Sequence, residues 1–348
     1  MEKHENTLAT SQREQFGSRI AFVLASMGGA IGLGNVWKFP YMVGKYGGAA
    51  FIVVYLIALL FIGAPILMTE FAIGRKTGNS YTSALKILRP GTKWHYVGII
   101  GVIALVLTLG FYGGIAGWTV AYLFKSIAGT FTGMSADQVG GVFGTFITDP
   151  VQVILWLAVM IGITTFVVMK GVNGGIEKVC NILLPVLFIM IVALAIRSVM
   201  LPGSGAGVEF YLKPDFSLIT GEVVVAAVGQ AFFTLGVGCG NLVVYGSYLD
   251  KSKTIGSSTL MVAIGDTLAA VLFGFIIFPA CAAYGIEGSM GPPLVFITLP
   301  TIFAQMKGGA IFATVFFLLL FFACLCMDMG ALTAFFYGFR DREKVLDI

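Results

Sequence analysis

The sequence predicts an all-α membrane protein, a polytopic helical bundle of about eight spans. Three observations carry that prediction: composition, the recurrence of uncharged runs, and the distribution of positive charge. Of the 348 residues, 58% are hydrophobic and 11% charged, against roughly 25% charged in a soluble domain. A water-soluble chain of this size could not hide so much apolar surface, so lipid is part of its solvent. Uncharged stretches recur at 20–37, 46–69, 94–124, 151–169, 179–196, 223–249, 267–286 and 308–327. Most approach or exceed the ~20 apolar residues that cross a bilayer core. In hydrocarbon the backbone must satisfy its own hydrogen bonds, which leaves helices or closed barrels, and runs this continuous are not the alternating strands of a barrel.

The polar tail 1–18 lacks the apolar core and cleavage site of a signal peptide. Placed in the cytosol, it makes the loops alternate so that fifteen of the 21 Lys and Arg face inward, as the positive-inside rule requires. The net charge of +4 then reflects topology and implies no nucleic-acid partner. The expected location is the cell (inner) membrane, with the N-terminus cytoplasmic. A transmembrane domain at 19–338 is expected between the cytosolic tails 1–18 and 339–348. The polar connections 128–149 and 201–221 lie outside; the apolar, three-proline segment 287–308 folds back into the outer vestibule or makes a surface excursion. The five cysteines (Cys180, Cys239, Cys281, Cys324, Cys326) form no C-x-x-C pair and read as small buried hydrophobes. With His4 and His95 both at polar ends, the chain offers no midplane histidine cluster for a membrane enzyme, nor the polar rings of a channel.

Two spans depart from plain helix in the same way. The first contains Gly28-Gly29-Ala30-Ile31-Gly32-Leu33-Gly34-Asn35, the sixth Gly236-Val237-Gly238-Cys239-Gly240-Asn241, and each ends in Gly-x-Gly-Asn. Each glycine weakens a helix by about 1 kcal/mol relative to alanine, so each cluster predicts a break. One cluster alone reads as close helix packing; matched interruptions in two halves point to discontinuous helices around a midplane site. There, half-helix N–H ends suit a carboxylate and C=O ends suit a hard cation, with side-chain oxygens from Asn35, Thr234 and Asp266 nearby. Glu70, Asp250 and Asp328 read as interfacial caps or salt bridges, and Asp266 by itself as a half-wet helix start.

The segments RIAFVLASMGGAIGLGNVWKFP at 19–40, Gly47–Pro65, EFAIGR at 70–75, Tyr112 with Trp118, GQAFFTL at 229–235, Tyr245 and FITLP at 296–300 fall in order along the chain. In these motifs the chain resembles the neurotransmitter:sodium symporter family, from about residue 13 to Ala323. The resemblance implies an inverted-repeat fold of the leucine-transporter type, with a first repeat at about 19–200 and an incomplete second at about 222–338. It implies sodium-coupled import of an amino acid by alternating access, with no enzymatic activity and no cofactor beyond co-transported sodium. Backbone of Gly29, Ala30 and Gly34 would receive substrate, with the Tyr112 hydroxyl on its carboxylate and Phe233 as lid. Ala30, Asn35, Thr234 and Asp266 would hold a first sodium; Gly28, Ile31 and Ala323 would offer carbonyls to a second. Thr234, Gly236 and Cys239 line the substrate site, and Lys38, Phe233 and Arg13 belong to the gates.

Substitutions within that pattern narrow the expectation. Gly32 stands where monoamine-transporting relatives carry an aspartate, which favours a substrate with its own carboxylate. The small Gly236 and Cys239 suggest a bulky apolar or aromatic side chain. Asp266 replaces the asparagine common at its position, and its fixed charge predicts chloride independence. After Ala323 the likeness is expected to stop: Cys326 and Met327 replace two hydroxyl residues of the second sodium site, and soft sulfur is a poor ligand for sodium. The chain is therefore expected to be a truncated or frameshifted, non-transporting piece, or a shortened transporter working with a partner chain or as an oligomer.

Overall fold

A computed structural model describes residues 14–286 and 291–346. Among these residues it is helical, with no strand. Its helices are α1 (Arg19–Ala30), α2 (Gly34–Lys45), α3 (Ala49–Thr77), α4 (Tyr81–Leu88), α5 (His95–Ile127), α6 (Ala136–Thr148), α7 (Pro150–Val168), α8 (Val172–Val199), α9 (Gly205–Leu212), α10 (Gly221–Leu235), α11 (Asn241–Ser247), α12 (Ile255–Tyr284), α13 (Leu294–Gln305) and α14 (Gly309–Leu346). Six of them (α3, α5, α7, α8, α12 and α14) are individually long and apolar enough to cross a bilayer.

The first expected break is present. α1 and α2 meet at an angle of 59° across residues 31–33, and together they make a seventh membrane-crossing unit. The second lies between α10 and α11, where Gly236, Gly238 and Gly240 take φ of 62°, 96° and 84°. Those angles lie in the left-handed region that side chains with a Cβ avoid. The expected sixth span is thus a 15-residue helix and a 7-residue helix, neither long enough to cross alone. That is why the helices that qualify by length and composition are fewer than the uncharged runs.

α1 stands at the centre, packed against α8, α11, α12 and α14, while α14 runs along α5 and α12 along α8. Its buried face includes Phe22, Val23, Ser26, Gly28 and Gly29. The lipid-facing residues are on the periphery, for example Phe61 (71% exposed), Leu107 (70%) and Val225 (73%). The proline-rich segment returns into the molecule: Phe296 of α13 packs against Trp118, Tyr122, Phe143 and Phe317. All five cysteines are free thiols; four are buried and Cys239 is partly so.

Close backbone approach holds α11 against α3. A Cβ built at Gly246 would lie 2.7 Å from both Cα and O of Phe71, so the two helices meet with no side chain between them. Gly246→Val is expected to destabilise the fold by about 1–3 kcal/mol, the usual cost of overpacking. A lowered melting temperature of the detergent-solubilised protein would show it; an unchanged one would mean α11 is free to move away from α3.

Candidate substrate and ion site

The site forms where both breaks face each other. α1 ends at Ala30 because Ile31 turns extended (φ −68°, ψ 114°), and α2 starts at Gly34. The last carbonyls of α1 therefore have no following turn to receive them. The amides between the half-helices are met by side chains: Gly32 N–H donates to Asn35 Oδ1 at 3.3 Å, and Leu33 N–H to the Tyr112 hydroxyl at 3.1 Å. The second break is held by an acid, since Gly238 N–H donates to Glu70 Oε1 at 2.6 Å. A Cβ built on Gly236 would lie 3.9 Å from the Gly29 carbonyl oxygen, which places the two breaks side by side.

Three of the expected first-sodium residues come together from three helices. Asn35 Nδ2 donates to Asp266 Oδ1 at 2.8 Å and to the Asp266 carbonyl at 3.2 Å, and Thr234 Oγ1 donates to Asp266 Oδ2 at 2.8 Å. Exposure is 1% for Asn35, 1% for Thr234 and 0% for Asp266, so this oxygen cluster is shielded from water. Three oxygen-bearing side chains and one formal negative charge are thus grouped where a hard cation could be held. Cargo of that kind fits this donor set. The half-wet start read for Asp266 is corrected: α12 begins at Ile255, well before Asp266.

The substrate residues surround the same gap. Tyr112 is buried, and Phe233, 51% exposed, covers Gly34, where a Cβ would come within 2.5 Å of its ring. Lys38 Nζ lies 3.5 Å from the centre of the Phe233 ring, a cation–π contact that joins two of the expected gate residues directly. A Cβ on Gly32 would lie 2.6 Å from the Tyr112 hydroxyl and 3.0 Å from Met327 Sδ, so a side chain there would have to displace the ends of both. Gly236 needs a different reading. Its left-handed φ of 62° makes glycine a requirement of the break, so its small size says little about the pocket; Cys239, partly exposed, keeps that argument.

At the second expected cation site, sulfur packs against α1. Cys326 stands against Gly28, with its Cβ 2.8 Å from a Cβ built there, and Cys180 of α8 lies behind it with the two Sγ atoms 4.0 Å apart. Ala323, one turn earlier on α14, is buried, as are Gly28 and Ile31.

Two acids read as interfacial sit elsewhere. Glu70 is 4% exposed and clamps the second break, and Asp328 is 4% exposed in the interior of α14 with Oδ1 lacking a hydrogen-bond partner. Asp250 does behave as a loop cap: it accepts from Ser252 N–H at 2.7 Å, and the Ser252 side chain holds its carboxyl below the usual range. Sequence reasoning missed how the chain preceding α1 is anchored. Phe16 is buried against Phe22, Tyr245 and Tyr248; Gly17 N–H donates to Glu177 Oε2 at 2.9 Å and Val172 N–H to Glu14 Oε2 at 2.6 Å. Arg13, expected at the inner gate, lies outside the described residues.

A multi-pass helical membrane protein with two interrupted helices facing each other across a buried oxygen cluster is built as an ion-coupled transporter. The chain belongs to the Sodium:neurotransmitter symporter family, whose match covers residues 13–139 and 143–347, and it is a sodium-coupled transporter rather than an enzyme. The match reaches 347, so the likeness does not stop at Ala323: α14 continues as helix through this stretch. A crystal structure of MhsT in complex with L-phenylalanine superposes with a TM-score of 0.88 at 42% identity, covering 95% of this chain and 76% of that one. The uncharacterized sodium-dependent transporter YhdH of Bacillus subtilis is 39% identical over 89% of this chain and 69% of its own length. The sodium-dependent serotonin transporter of Drosophila melanogaster is 30% identical, over 95% of this chain and 60% of its own length.

If the left-handed turn defines the second break, Gly236→Ala is expected to cost about 1–2 kcal/mol, although its Cβ has ordinary space, 3.8 Å from Asn241 Nδ2. Thermal unfolding of the variant checks this. Stability equal to the parent would show that the break tolerates a right-handed residue.

Proposed function

We propose that the chain imports a neutral amino acid with a bulky apolar or aromatic side chain, driven by sodium, from the cell exterior across the inner membrane. The observation that carries this reading is the junction of Asn35, Thr234 and Asp266 at the gap between the two breaks. Ala30, Asn35, Thr234 and Asp266 hold sodium; Gly29, Ala30, Gly34 and Tyr112 receive the amino and carboxylate groups; Phe233 with Lys38 closes over them. The substrate carboxylate joins the sodium shell, so each ligand raises the affinity for the other, and reciprocally so. Alternating access follows from the breaks, since half-helices can tilt about them without disturbing their outer halves. The N-terminus is cytoplasmic, with Phe16 as the inner plug, and the two-repeat division at about 200–222 follows the two breaks. MhsT, whose structure contains L-phenylalanine, supports the aromatic substrate. Uptake by proteoliposomes under an inward sodium gradient tests the whole reading. Labelled phenylalanine or tryptophan should accumulate and be displaced by other large apolar amino acids; preference for glycine or alanine, or equal uptake with potassium, would refute it.

Asp266 also supports chloride independence. The buried Tyr55 hydroxyl lies within electrostatic reach of it, and Gln230 one turn before Thr234 has an unpartnered side-chain amide. A fixed carboxylate among such donors supplies the negative charge that an anion would otherwise bring. Replacing chloride by gluconate should leave uptake within twofold or so, whereas Asp266→Ala should raise the half-saturating sodium concentration by about tenfold or more, which is ~1.4 kcal/mol of binding. Collapse of uptake in gluconate, or unchanged sodium dependence in the variant, would contradict these roles.

A further inference from the structure

Asp328 is a buried acid that the sodium and substrate roles leave unused. It is 4% exposed, and its Oδ1 has no hydrogen-bond partner among the described residues. An ionisable group within a membrane span is costly and marks a functional position by default. Its direction is set by helix geometry. Cys326 points at Gly28 of α1, and two residues further on a helix of 3.6 residues per turn the side chain has rotated by about 200°. Asp328 therefore faces away from the expected second cation site and towards α5. It shares that face with Cys324, one turn earlier.

The groups around it are weakly acidic and uncharged. On α5 the Tyr112 hydroxyl lies within electrostatic reach of Asp328, and so does the Cys324 thiol of its own helix. Other titratable groups on helices packed against α14 look elsewhere: Tyr122 of α5 packs among Phe131, Phe296 and Phe317, and Lys125 of α5 lies over Phe146. Cys180 of α8 and Tyr245 of α11 surround Cys326, Tyr81 of α4 packs against Gly101 and Gly240, and Arg19 of α1 donates to Ser258. Arg197 of α8 lies over Phe312, while Lys86 of α4 is exposed. No base among these neutralises the carboxylate. Yet Tyr112 is the residue that receives the substrate carboxylate, so loading would bring a second negative charge beside the first in a space closed to water. A proton on Asp328 removes both the burial cost and the repulsion, and it needs no room. A hydrated cation or a basic substrate side chain would need a cavity there.

We propose that Asp328 binds a proton as substrate loads, and that the protein carries this proton inward together with sodium. The proton comes from external water, forms an O–H bond on the Asp328 carboxyl, and returns to water at the cytosolic face, so the carboxyl is regenerated unchanged each cycle. The coupling role expected of a second sodium, whose site is walled by Cys326 and Cys180, thereby passes to a proton two residues along the same helix. The proposal deepens the symport reading above and rests on it.

Calorimetry of phenylalanine binding to the detergent-solubilised full chain, in sodium and in two buffers of unlike ionisation enthalpy, counts protons directly. About one proton taken up per substrate is expected for the parent and none for Asp328→Asn, with Asp328→Ser as the alternative if the first variant does not fold. In proteoliposomes with equal sodium and the membrane potential clamped at zero, an inward gradient of one pH unit should drive parent accumulation up to about tenfold, since one unit is tenfold in proton activity. Neither Asp328 variant should respond. A proton count of zero in the parent, or one that persists in the variants, overturns the proposal. Sodium-driven uptake indifferent to the pH gradient overturns the proton alone; absence of any sodium-dependent binding or uptake overturns the symport reading itself.

Discussion

Interrupting a helix inside a bilayer strands amides and carbonyls where neither water nor lipid can meet them, and the centre of this protein is organised around that constraint. Gly32 and Leu33 donate to Asn35 and Tyr112, and Gly238 donates to Glu70. Each side chain that stabilises a break is thereby fixed beside it. The residues that make the interruption tolerable are also those that place polar groups in an apolar interior.

Asp266 ties these local solutions into one unit. Its two oxygens accept from Asn35, beside the first break, and from Thr234, just before the second. Any rearrangement of this cluster must reorganise bonds that link both breaks, so the two half-helices are joined through contiguous contacts rather than across a distance. Beyond the first break, Lys38 on α2 covers the Phe233 ring on α10. At the other end of α1, Phe16, Glu14 and Glu177 anchor the preceding chain. The two contacts hold the same broken helix from opposite ends.

The second cation position shows how a shared fold admits different chemistry. Gly28, Ile31 and Ala323 are retained as backbone, but the side chains that would complete an oxygen shell are Cys326 and Met327. Sulfur is a soft donor and sodium a hard acceptor, so these side chains are poor partners for that ion. Asp328 is rotated to the opposite side of α14.

Fold class, membrane character and both breaks were legible in the sequence, because they depend on composition and on local backbone preference. Hydrophobic runs dictate burial in lipid wherever they fold, and glycines at Gly236, Gly238 and Gly240 permit a left-handed path that other residues resist. The grouping of Asn35, Thr234 and Asp266 was legible through family motifs alone, since nothing local brings positions so far apart in the chain together. Tertiary structure decided the rest. It moved Asp266 from a helix start to a dry helix interior, turned Glu70 from a surface cap into a clamp on the second break, and left Asp328 Oδ1 buried without a hydrogen-bond partner among the described residues. It also showed that Gly32 is hemmed in by Tyr112 and Met327. An acid looks the same in sequence at an interface or in a core; only the neighbours that packing brings to it determine whether its charge is solvated, shared or left to find a proton.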